Sequence, residues 1–198
     1  KEQIKYKISI SGGDTTFSNK LSFTITSLGY SNKIIYRNQA KLHDDIYVTG
    51  NLGDSFLGLQ ILKKKINLNK KTSNFFVKKY FQPDLQSKFT KYLLRIANTS
   101  IDISDGLIVD LTKMINKQNL SFQINVKKIP TSKKLTRLIK TKKLKKINLI
   151  SNGDDYQILF TAKSNRTRII QNISRISGVK ISKIGKIISG KKRSMIIN

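Results

Sequence analysis

The stretch I-D-I-S-D-G-L-I-V-D-L, Ile101 to Leu111, constrains this chain more than any other. An apolar run ends on Asp102; Leu107, Ile108, Leu111, Met114 and Ile115 then recur at helical spacing, with Ser104 placed to cap them. A strand feeding directly into a helix commits the chain to helices layered on a sheet. At such a junction the first helical N–H groups lack intrahelical partners and carry partial positive charge, so an anion is favoured. Asp102 and Asp105 flank that point. Two carboxylates beside an anion-attracting helix start repel a phosphate unless a hard cation lies between them, and Mg²⁺ held by one or two carboxylates plus phosphates meets that need. The same residues also admit a plain reading: Ser104 an ordinary cap, Asp105 a favourable first-turn acid, Asp102 an exposed strand end.

Alternating apolar and polar residues predict strands over 4–10 and 21–28. Between them lies S-G-G-D-T-T, Ser11 to Thr16. Gly12 and Gly13 allow close backbone approach to a ligand and Asp14 offers oxygen ligands, although a hairpin loop uses the same residues. Residues 29–44 read as a connection and 45–50 as a strand. Asn51 or Gly53 opens a helix through Phe56, Leu57, Leu59 and Leu62. A lysine-rich surface connection over 64–74, a short aromatic segment over 75–81 stopped by Pro83, and a helix over 85–97 follow. After the central unit come a strand over 121–126, a basic helix over 135–146, a polar turn with Asp154 and Asp155 before a strand ending at Phe160, a helix over 166–176 and a strand over 179–188. The alternation predicts an α+β or α/β layered fold.

Several functional classes drop out on composition. The chain has no cysteine and one histidine, His43, which removes thiolate and multi-histidine metal sites and leaves oxygen ligands. No run of eighteen apolar residues is present, so a membrane span is not expected and a cytoplasmic location is. Neither G-x-G-x-x-G nor G-x-x-x-x-G-K-[ST] occurs. The net charge of +28 points toward polyanions. Yet 32 of the 39 basic residues are lysine, beside 30 Ile and 16 Asn, a joint skew that A/T-rich coding produces in any protein. The basic residues are scattered rather than gathered in one stripe with interleaved aromatics, so non-specific adhesion at low salt is expected and a specific nucleic-acid partner is not.

Taken in order, G-G-D-T-T at Gly12 to Thr16, D-D-I-Y-V-T-G-N-L-G-D-S-F-L-G-L at Asp44 to Leu59, D-I-S-D-G-L at Asp102 to Leu107 and G-D-D-Y at Gly153 to Tyr156 resemble the thiamine-monophosphate kinase family. That family belongs to the aminoimidazole-ribonucleotide-synthetase-like superfamily. The resemblance implies that superfamily's fold, a mixed sheet with packed helices. Residues 1–40 would be a remnant of an N-terminal ATP-binding domain and 41–198 a C-terminal α/β domain, the chain being a fragment with a truncated N-terminal domain. It implies Mg²⁺-assisted, in-line transfer of the γ-phosphate of ATP to thiamine monophosphate. Gly13, Asp14, Arg37 and Ser104 would bind ATP, Asp14, Asp102 and Asp105 the metal, and Asp154 the thiamine substrate, where the family usually has glutamate. No catalytic acid or base is implied. A homodimer is implied where the N-terminal domain is complete. The alternatives are another ATP-using member of the superfamily (aminoimidazole ribonucleotide synthetase, selenophosphate synthetase or a hydrogenase-maturation type) or, in a different class, a basic nucleic-acid-binding module.

Overall fold

The computed structural model describes residues 2–191 and 193–197. The chain divides into two compact units, Lys1–Ile34 and Ile35–Asn198. In the first, a short helix α1 (Glu2–Tyr6) precedes residues 7–34, which hold no strand. The strands expected over 4–10 and 21–28 are not formed. Alternation gives a segment an apolar face, but a strand also needs a neighbour for its N–H and C=O groups. Among the described residues of that unit none pairs, and Phe17, Leu21, Phe23 and Ile25 stay exposed.

The second unit contains β1 (Asp45–Thr49), β2 (Thr99–Asp102), β3 (Leu120–Asn125), β4 (Ile158–Ala162), β5 (Ile181–Ser189) and β6 (Met195–Ile197). They form one mixed sheet in the order β2-β4-β1-β5-β3-β6, antiparallel except for the β3–β6 pair. Its helices are α2 (Asp54–Leu62), α3 (Lys70–Phe81), α4 (Ser87–Ile96), α5 (Leu107–Met114), α6 (Lys133–Thr141), α7 (Lys146–Ile150) and α8 (Thr167–Ser177).

Period-two alternation in β1 sends its side chains into two different cores. Ile46 and Val48 join Leu159, Ile184 and Ile187 beneath Leu107, Leu111 and Met114 of α5. Tyr47 points the other way, stacked on Phe160 at 5.3 Å, with Phe89 of α4 and Ile170 and Ile173 of α8 closing that side. Covered on both faces, β1 is buried along its whole length.

A third cluster joins Leu57 of α2, Phe76 of α3, Leu135 of α6 and Leu149 of α7. Two expectations change here. The helix around Phe75 begins five residues earlier, at Lys70, because the Asn69 side chain accepts the Thr72 N–H at 2.9 Å and caps it. The basic helix expected over 135–146 is two helices. Ser132 caps α6 through the Leu135 N–H, and the chain breaks at Lys143, whose φ is 50°. The Lys146 ammonium then donates to the Val126 and Ile129 carbonyls at 2.7 and 2.6 Å, which turns the next helix away.

Two buried carboxyls brace this helical cluster, one tying it to the sheet and the other tying α2 to the start of α6. Asp155, just before β4, accepts the N–H groups of Gly53 (2.8 Å) and Ser55 (3.5 Å) at the start of α2. Asp54 accepts the Ser132 hydroxyl at 2.7 Å. Burial pushes Asp155 up to about 7 against the opposing Gly53 and Ser55 N–H bonds, and pushes Asp54 up to about 6 against the Ser132 bond.

Two outcomes are expected. A Cβ on Gly58 of α2 would stand 2.2 Å from the Phe76 carbonyl oxygen. In an open helix Gly→Ala stabilises by up to about 1 kcal/mol, but here overpacking dominates, and Gly58→Ala should cost roughly 1–3 kcal/mol in urea unfolding. Asp155 and Asp54 hold protons in the folded chain that the unfolded chain releases near its ordinary pKa of 3.8. Their contribution is therefore fully present below about pH 4 and is lost as pH rises through about 6 to 7. Asp155→Asn, uncharged throughout, should lose less stability than the parent chain between pH 5 and pH 8; equal losses in urea midpoint would refute the assignment.

Candidate active site

The site grows from the end of the β2–β4 ladder. Past the last paired residues, Asp102 and Ile158, the two segments remain hydrogen-bonded. Ile103 N–H donates to the Gln157 carbonyl (2.9 Å), Tyr156 N–H to the Ile103 carbonyl (2.8 Å) and Asp154 N–H to the Ser104 carbonyl (2.9 Å). The contact is backbone on backbone: a Cβ on Gly153 would lie 1.6 Å from the Ser104 carbonyl oxygen. The D-I-S-D-G and G-D-D-Y motifs, some fifty residues apart, are thus one structural unit. Asp154 and Tyr156 take left-handed conformations, with φ of 64° and 51°. For a tyrosine this is strained, at a cost of order 1–3 kcal/mol, and the bonds to Ile103 and Ser104 hold it in place. The exposed Tyr156 phenol is raised above its ordinary pKa by desolvation and then by the nearby Asp154 and Asp102 charges.

The helix start differs from the expectation. Gly106, not Ser104, occupies the cap position of α5, and it has no side-chain cap bond. Instead Asp110, from within the helix, turns back, and its Oδ2 accepts the N–H groups of Ser104 (3.0 Å), Asp105 (2.9 Å) and Gly106 (3.0 Å). Of the N–H groups that a helix capped by Ser104 would leave free for an external anion, those of Asp105 and Gly106 are therefore already held by an internal carboxylate. A signal for this existed in the sequence. Asp110 falls between Leu107, Leu111 and Met114 on the apolar face of the helix, where a charge survives only if its bonds are satisfied. It is fully buried.

Tyr36, Arg37, Asp102, Ser104, Asp110 and Lys113 line a cleft of about 400 Å³. Three residues singled out in the sequence, Arg37, Asp102 and Ser104, thus share one surface. Arg37 is held there because the Tyr36 carbonyl accepts the Thr99 hydroxyl (2.7 Å) and the Asn38 N–H donates to the Met114 carbonyl (2.8 Å). Asp105 is exposed and ion-paired with Lys113, which also lies 3.5 Å from Asp110 Oδ1. Asp105, and behind it Asp110, hold the Lys113 ammonium above its usual pKa. Asp154 is half-buried beside Ser104. Gly13 and Asp14 belong to the first unit, where both are exposed and Asp14 accepts the Thr15 N–H at 2.7 Å.

Among the described residues no three acidic or histidine side chains cluster tightly enough to cage a metal. Asp102 at the cleft and Asp105 beside it are exposed hard oxygen donors, and Asp110 Oδ1 is buried without a hydrogen-bond partner. That donor set fits a hard cation held by one or two carboxylates and completed by a phosphorylated ligand, as Mg²⁺ is commonly held.

No protein-family model matches the chain. Curated relatives do. The chain is 37% identical over 192 residues to the thiamine-monophosphate kinase of Buchnera aphidicola subsp. Schizaphis graminum, covering 95% of this chain and 58% of the relative. Among solved structures, thiamine monophosphate kinase from Aquifex aeolicus superposes with a TM-score of 0.72 at 25% identity, over 85% of this chain and 54% of that one. AaThiL complexed with AMPPCP and TMP gives a TM-score of 0.69 at 25% identity, over 82% and 50%. The chain spans little more than half the length of these proteins, and its mixed sheet with packed helices is the aminoimidazole-ribonucleotide-synthetase-like fold. In sequence and in fold, the chain is thus similar to thiamine-monophosphate kinases over little more than half of their length.

Proposed function

We propose that this chain carries part of the active site of an ATP-dependent kinase that phosphorylates thiamine monophosphate to thiamine diphosphate. The observation that carries the reading is the shared cleft of Arg37, Asp102 and Ser104, in a chain whose relatives are thiamine-monophosphate kinases and whose fold matches that of AaThiL complexed with AMPPCP and TMP. The reading extends to a cytoplasmic location and to the absence of a specific nucleic-acid partner.

Phosphoryl transfer asks a protein mainly to align two oxygens and to balance charge on the transferred group. The acceptor is itself a phosphate and already nucleophilic, so the chain needs no strong general base. Arg37 supplies a fixed cation for nucleotide phosphates, and Ser104 a hydroxyl donor on a turn that cannot shift without breaking its bonds to Asp154 and Asp110. Asp102, and Asp105 once freed from Lys113, would hold Mg²⁺, which when bound screens the repulsion between acceptor phosphate and ATP. Asp154, beside Ser104, is assigned to the thiamine end of the substrate. In the first unit, Gly13 and Asp14 are assigned to ATP, and Asp14 also to metal, on the likeness of their motif.

The test is binding to the chain itself. Mg²⁺ with a non-hydrolysable ATP analogue and thiamine monophosphate should raise the melting temperature, while duplex DNA at moderate salt should not. A salt-resistant DNA response without a nucleotide response would favour the nucleic-acid module. Asp102 is exposed, so Asp102→Asn should keep the fold by circular dichroism and abolish the Mg²⁺-dependent part of the shift; a parent-like shift in that variant would remove Asp102 from the metal site.

A further inference from the structure

We propose that Asp110 is the positioning residue of the acidic turn: its carboxylate fixes the backbone from which Ser104 and Asp105 address the cleft, and so sets the affinity of the site for a divalent cation. The proposal rests on the metal reading above and adds to it a residue with a different task.

Its grounds are geometric. One oxygen, Oδ2, takes three consecutive N–H groups, those of Ser104, Asp105 and Gly106, at 2.9–3.0 Å. Successive N–H groups converging on one acceptor make an anion-binding nest, and here the anion is part of the same helix. Bonds to an ionised acceptor are stronger than those between neutral groups, and stronger still away from water. The Asp110 side chain is fully buried. The backbone of the turn therefore has little freedom to shift the Cα positions from which the Ser104 and Asp105 side chains extend.

The opposite side of the turn is fixed too, through the Asp154 N–H bond to the Ser104 carbonyl and the Tyr156 N–H bond to the Ile103 carbonyl. Among the described residues, Asp110 is the only side chain that accepts the N–H groups of Ser104, Asp105 and Gly106. Its second oxygen, Oδ1, is buried without a hydrogen-bond partner and lies 3.5 Å from the Lys113 ammonium, which also pairs with Asp105. The cation nearest Oδ1 is thus a side chain that a metal at Asp105 must displace. Asp110 keeps a buried negative charge behind that exchange, which favours whichever cation replaces Lys113.

The experiment uses Mn²⁺ alone as probe and backbone amide NMR of the whole chain. In the parent chain Mn²⁺ should broaden the amide signals of residues 102–106 selectively. Asp110→Asn keeps the shape of the side chain and removes its charge; it should weaken Mn²⁺ binding by about tenfold or more, the usual scale for losing a group that orients a metal ligand, with circular dichroism unchanged. Broadening at parent Mn²⁺ concentrations in a folded Asp110→Asn would overturn the inference and leave the metal reading intact. No selective broadening in the parent would defeat the metal reading and the inference with it. A second measurement needs no variant. The amides of Ser104, Asp105 and Gly106 should exchange slowly as a group and keep their protection when Mn²⁺ is added. Loss of that protection would mean that Asp110 leaves the turn to bind the metal itself, which overturns a positioning role.

Discussion

The second unit's candidate site depends on one run of backbone hydrogen bonds, by which residues 103–104 and 154–157 stay paired beyond the end of β2 and β4. Side-chain contacts tolerate small shifts, but two backbones in direct contact do not, because every buried N–H and C=O displaced must find another partner. This is why Gly153 faces the Ser104 carbonyl with no room for a Cβ, and why Asp154 and Tyr156 accept left-handed conformations. The pairing also transmits position. Asp155 reaches from the same turn to the start of α2, so the sheet edge, the acidic turn and the helical cluster are held by consecutive residues.

Acids are scarce in this chain, eleven against 39 basic residues, and the structure divides them by burial. Asp44, Asp45, Asp54, Asp110 and Asp155 are buried. All five accept bonds from backbone N–H groups or hydroxyls inside the protein: Asp44 takes Lys41 N–H and the Thr161 hydroxyl, Asp45 the Tyr47 hydroxyl, Asp54 the Ser132 hydroxyl, Asp110 three turn amides and Asp155 two helix-start amides. Asp45 is paired with Lys183 at 2.6 Å. A buried carboxyl bonded to fixed partners is an anchor, although at Asp54 and Asp155 burial still outweighs those bonds and favours the protonated form. Asp102 and Asp105 differ in kind. Both are exposed, and Asp105 is satisfied only by a lysine side chain at the surface, an interaction of small net stability and easily exchanged.

That division explains what could be read from the sequence. The strand-to-helix junction at 101–111 was legible because its periodicity changes within a few residues; that its motif lies against Gly153–Tyr156 was not, because the contact is between backbones some fifty residues apart. That Asp110 is an anchor could have been read from its place on the apolar face of α5, whereas the burial of Asp155 in a turn leaves no such pattern, since it is a property of packing. Ser104 has the residue type of a cap, yet Asp110 outcompeted it by offering one charged oxygen to three donors. The strands expected over 4–10 and 21–28 failed for a related reason: local alternation specifies a face, whereas pairing is decided by segments elsewhere in the chain. Where local rules did hold, as in α4 and α8, apolar spacing, packing and helix ends agreed.

The high positive charge bears on the site in a way that composition alone does not reveal. A cleft lined by Arg37 and Lys113 attracts phosphates without help from Mg²⁺, while Asp102 and Asp110 in the same lining repel them. Neither sign dominates locally, although the whole chain is strongly basic. Lys113 already neutralises Asp105 in the absence of a divalent ion, so the acids do not face one another unscreened. On the proposed reading, a cation arriving with its phosphate ligands would replace one counter-charge with a stronger one and free Lys113 beside those phosphates. The turn would make such an exchange small in scale, since the Asp110 carboxylate holds the Ser104 and Asp105 N–H groups and only the Lys113 side chain would have to move.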